Sequence, residues 1–110
     1  MSAANPLRGE VEIDLGGRTH VLRPTFAALL AIENEAAPLL VLAQEAAEGR
    51  VRLEAMATVF HHCLCVEDAV ARPTVAEIGE TLLAHGLMPA LRAYRALLEA
   101  VLVGPGEGAE

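Results

Sequence analysis

The stretch EVEIDLGGRTHVLRPTF, residues 10–26, decides the architecture. Val11, Ile13 and Leu15 fall on one side of an extended chain, and Glu10, Glu12 and Asp14 on the other, which is the period of a half-buried strand. Gly16-Gly17 supplies the positive-φ positions of a two-residue turn. The spacing therefore predicts an antiparallel hairpin with Ile13 opposite His20 and Val11 opposite Leu22, sharing one apolar face. Glu10 then faces Arg23 on the outer side, where an exposed charge pair contributes only a fraction of a kcal/mol. A lone hairpin is marginal in water, so the rest of the chain must cover it.

Beyond Pro24 the pattern becomes helical. Thr25 is a plausible cap, and Phe26, Leu29, Leu30 and Ile32 recur at helical spacing, predicting a first helix over 25–36. Pro38 opens a second over 38–48, closed by Gly49. Leu53, Met56, Ala57, Phe60 and Leu64 define the stripe of a third, expected to fail by Arg72-Pro73. Thr74-Val75-Ala76-Glu77 is a capping box that starts a fourth helix, which stops near Gly86. A fifth runs over roughly 88–103. The fold class is α+β, mainly α, with an N-terminal β-hairpin packed on about five short helices.

At 110 residues the chain suits one core, and only three aromatic residues, Tyr94, Phe26 and Phe60, are available to fill it. An alanine-rich, aromatic-poor composition favours closely packed helices. The net charge of -7 opposes a phosphate-binding surface, so nucleic acid is not an expected partner. The longest apolar run, Ala36 to Ala43, contains a proline and falls far short of the roughly twenty residues of a membrane span. Residues 1–8 lack the apolar core of a secretory signal, and a cytoplasmic location is expected. Residues 1–103 are read as one domain and the acidic 104–110 as a loose tail.

No catalytic motif stands out, and no enzyme activity or cofactor is expected. His61-His62-Cys63-Leu64-Cys65 offers zinc-type ligands, and on a helix His61 and Cys65 would share one side, but two ligands do not make a structural site. The other reading of this segment is a polar helix face with Cys63 at the core edge. A cysteine nucleophile would need a base and an orienting group in reach, which adjacent helical residues do not provide.

Two features point instead to protein binding. Projection places Glu33 among Phe26, Leu29 and Leu30, inside the apolar stripe of the first helix. It is either an anchor for a partner's basic group or amide, or the mate of Arg18, His20 or Arg23. The fifth helix carries Leu87, Leu91, Tyr94, Leu98 and Val101 on one stripe and Leu97 with Ala93, Ala96 and Ala100 on another side, leaving only Arg92, Arg95 and Glu99 polar. A helix apolar over most of its circumference is either central in the core or shared with a partner or second copy. The candidate partner-binding residues are thus Glu33, Leu91, Tyr94, Leu97, Leu98 and Val101, with the open edge of the hairpin as a further surface.

The string Asn5-Pro6-Leu7-Arg8-Gly9-Glu10-Val11, the Leu15-Gly16-Gly17 turn, and Leu22-Arg23-Pro24-Thr25-Phe26-Ala27-Ala28-Leu29 with Ile32-Glu33 resemble the gene transfer agent tail family. That family is grouped with phage tail assembly chaperones and is also labelled a tail tube family. The similarity is strongest over residues 5–35, and the family's glycine after the first helix is replaced here by Ala36-Ala37-Pro38. The resemblance implies a non-enzymatic chaperone that binds the tape measure protein, or other tail proteins, during assembly of a phage-like tail, and it allows a homo-oligomer. The alternatives are a structural component retained in the particle, and a small metal-binding protein using His61 and Cys65.

Overall fold

The computed structural model describes Asn5 and residues 9–66 and 72–104. Strands β1 (Val11–Leu15) and β2 (Arg18–Leu22) precede helices α1 (Phe26–Glu35), α2 (Leu39–Ala47), α3 (Leu53–Cys63), α4 (Val75–His85) and α5 (Leu87–Val103). The α+β reading holds, and so does the register, with Ile13 paired to His20 and Val11 to Leu22. Gly16 and Gly17 turn the hairpin at φ of 61° and 83°, a region that costs a side-chain-bearing residue strain.

Local chemistry sets the helix ends close to the expected ones. Thr25 Oγ1 accepts the Ala28 N–H at 3.1 Å at the head of α1. Thr74 Oγ1 accepts the Glu77 N–H at 3.1 Å while the Glu77 carboxylate accepts the Thr74 N–H at 2.9 Å, closing the capping box that starts α4. Gly86, at φ 87°, ends α4 and begins α5 without an intervening loop. Gly104 caps α5 through its N–H to the Ala100 carbonyl, and the remainder of the expected tail lies outside the described residues.

Three expectations are corrected by tertiary packing. First, α3 ends at Cys63 instead of continuing toward Arg72. Leu64 forms an antiparallel bridge to Leu22, flanked by Arg23 N–H to Cys63 O at 2.7 Å and Cys65 N–H to Val21 O at 2.9 Å. Pairing with β2 thus wins over another helical turn, and Arg72 seals the helix end by donating to the His61 and Leu64 carbonyls at 2.6 and 2.8 Å. The same pairing occupies part of the hairpin edge that was expected to be open. The part of the third-helix expectation on 67–71 lies outside the described residues.

Second, Glu10 is not on an exposed face. Its side chain is only 3% exposed, held by Arg23 Nε at 2.6 Å and by the Asn5 N–H at 2.8 Å. The hydrogen bond to Glu10 raises the Arg23 pKa above its ordinary value. Third, α1 turns Ala28 and Ile32 inward, and Phe26 and Leu30 point out, 77% and 47% exposed. The expected stripe of Phe26, Leu29, Leu30 and Ile32 is thus divided: Ile32 and Leu29 pack on the core, and Phe26 and Leu30 lie on the outer face.

The core centres on α3, whose positions 55–60 are all buried, including Met56, Val59 and Phe60. Helices α1, α4 and α5 pack on it, β1 packs on α4 and α5, and α2 packs on α5. Phe60 meets Tyr94 of α5 edge to face, with ring centroids 6.1 Å apart and planes at 88°. No single described helix is long and apolar enough to cross a membrane; only α1 and α2 together approach that length and composition, and they are bent by 77°.

Candidate partner-binding surfaces

The fifth helix is two-sided. Ala90, Ala93, Tyr94, Leu97 and Leu98 are buried against α2, α3 and β1, so Tyr94 and Leu97, expected as binding residues, are enclosed by the protein's own core. Burial raises the Tyr94 pKa to about 12, the Glu45 charge adding to the effect and Arg52 opposing it. Leu91 and Val101 are half-buried. The large apolar residues that α5 exposes are Leu87, Met88, Leu102 and Val103, and its exposed charges are Arg92, Arg95 and Glu99.

Two adjoining clefts run beside this outer side. One, of about 200 Å³, lies between Val51, Leu53 and Met56 on one bank and Leu87, Leu91 and Arg95 on the other. The second, of about 240 Å³, lies between Ala43, Ala46 and Ala47 of α2 and Arg95, Leu98, Glu99, Leu102 and Val103. Arg95 borders both, so the clefts form one trough along a helix that spans about 25 Å at 1.5 Å per residue. The trough is apolar at both ends and charged in the middle. Of the residues expected to bind a partner, Leu91 and Leu98 line it.

A second apolar surface lies on α1. Phe26 and Leu30 are one turn apart on the outer face, and Glu33 continues that row. Glu33 is exposed and accepts the Leu39 N–H at 3.0 Å, capping the amino end of α2. Its intramolecular partner is thus a backbone amide, not Arg18, His20 or Arg23. The adjacent Leu40 is 71% exposed.

Phe26 and Leu30 escape a sequence-based assignment because a run as apolar as FAALLAI has little directional bias. Met88 and Leu102 lie outside the expected set as well. The signal for them was their i, i+14 spacing about Arg95, which puts both on its row of the helix.

The His-Cys cluster does not assemble. Cys65 lies beyond the end of α3, on the segment paired with β2, so it does not share a helical side with His61. His61 Nδ1 is engaged by the Pro73 carbonyl at 2.7 Å, and His62 Nε2 by Glu35 at 2.9 Å. Among the described residues no group of three or more His, Cys, Asp or Glu side chains is placed to hold a metal ion. Cys63 is a buried core residue, and burial pushes its thiol up to about 12, the neighbouring Cys65 adding to the shift and Arg72 opposing it.

A protein-family model described as "Phage tail tube protein, GTA-gp10" matches residues 8–104. The chain belongs to that family. Membership gives this phage-tail family chain a role in a phage-like tail, within a family described as structural, and makes other tail proteins its expected company. No curated protein and no solved structure matches the chain.

Proposed function

We propose that this tail-family protein is an assembly chaperone that holds apolar, helix-forming segments of the tape measure protein until tube subunits enclose them. The observation that carries the reading is the pairing of a very small sheet with an outward-facing apolar surface. Among the described residues the sheet has two strands, and part of the β2 edge is occupied by residues 63–65. Little is left from which to extend a continuous β wall, whereas Phe26 at 77% and Leu40 at 71% exposure offer large apolar side chains to a partner. Glu33, on the same row as Phe26 and Leu30, supplies a carboxylate beside that surface. The net charge of -7 favours solubility while apolar surface stays exposed.

The second reading, a structural subunit retained in the particle, is favoured by the family's tail tube description. Co-expression with the tape measure protein of the same gene cluster separates the two. A chaperone gives a soluble complex that Phe26→Glu/Leu30→Glu disrupts without unfolding the protein, and it is absent from finished particles. Stoichiometric presence in finished particles, with no tape measure complex, would make it a structural subunit.

A further inference from the structure

We propose that the trough along α5 is a self-complementary interface, and that a second copy of this chain docks in it antiparallel about a two-fold axis near position 97. The proposal concerns the outer side of α5 and stands apart from what the α1 surface holds.

The charge order along the helix carries it. On the outer side of α5 the sequence of surfaces is apolar at Leu87, Met88 and Leu91, cationic at Arg95, anionic at Glu99, and apolar again at Leu102 and Val103. Arg95 and Glu99 are one turn apart with arginine first, the weaker orientation for an intrahelical pair, and among the described residues neither forms an ion pair. A neighbour that fills the apolar ends of the trough also removes water from this middle, so each charge then requires an opposite one across the contact.

A second α5 running antiparallel meets that demand with its own residues. With the axis near position 97, Arg95 of each copy faces Glu99 of the other, giving two equivalent pairs, as an isologous contact requires. The same operation carries Leu102 and Val103 of one copy over the Leu91 end of the other, beside the cleft walled by Val51 and Leu53. A parallel arrangement would set Arg95 on Arg95 and Glu99 on Glu99. The order of charges thus selects both the occupant and its direction.

The test is a charge exchange read by sedimentation equilibrium of the full chain at moderate salt. Arg95 and Glu99 are exposed, so Arg95→Glu and Glu99→Arg should retain wild-type circular dichroism. The wild type is expected to show a concentration-dependent dimer. Each single variant, carrying two like charges, should weaken self-association about tenfold or more. An equimolar mixture of the two variants should recover a dimer with one copy of each, and Arg95→Glu/Glu99→Arg in one chain should recover the homodimer. A monomeric wild type overturns the proposal, as does a dimer that both single variants leave unchanged, or a mixture that fails to re-associate.

Discussion

Helices α3 and α5 look alike in composition, but the fold uses them differently. In α3 the positions 55–60 are covered on every side, because α1, α4 and α5 all pack on it. In α5 one side carries Tyr94 and Leu97 into the core, and the other presents leucines, Met88 and two charges along an apolar trough. An apolar helix is therefore not by itself an interface; what decides is how many neighbours the chain folds around it. In α3 the apolar surface goes into the core, and in α5 Leu87, Met88, Leu102 and Val103 stay exposed.

The contrast is most open to breaking where the two helices touch. Phe60→Ala or Tyr94→Ala removes one ring of the edge-to-face pair and should lower unfolding free energy by about 3–5 kcal/mol, read by chemical denaturation. A loss below about 1 kcal/mol for both would mean that the α3–α5 contact is not the centre of the core.

Next in size is an alkaline effect. Cys63 at the end of α3 and Tyr94 in α5 both have folded pKa values raised to about 12, from 9.0 and 10.0. A raised folded pKa means the folded state keeps its proton longer, so stability is complete below pH 9 and falls as pH rises toward 12. The loss near pH 10.5 should be on the order of 2 kcal/mol, smaller in Cys63→Ala, and a thiol reagent should label Cys65 but not Cys63 in the native protein. Equal labelling of both cysteines would contradict the enclosed end of α3.

Thr74→Ala deletes the capping box at the start of α4, which packs on α3, and should cost about 1 kcal/mol in thermal or denaturant unfolding. The smallest expected change in stability comes from Leu102→Ala on the outer side of α5, within about 0.5 kcal/mol when unfolding is read at a protein concentration low enough for the chain to be monomeric. A large loss there would place Leu102 in the core and erase the contrast between the two sides.

Much of this fold is determined by local sequence. Alternation over residues 11–15 and the two glycines that turn the hairpin specify its register, because a one-residue slip would turn every apolar side chain to the wrong face. Thr25, Pro38, Gly49, the Thr74–Glu77 box and Gly86 mark helix ends through hydrogen bonds and backbone angles that reach only a few residues along the chain. Only the tertiary structure decided which face of α1 turns inward, that Glu10 is enclosed, that α3 stops where Leu64 can pair with Leu22, and which half of α5 stays outside. Each of these is settled by neighbours distant in sequence. Where a helix is apolar almost all round, its periodicity points in no single direction, and the partner that covers it becomes the deciding term.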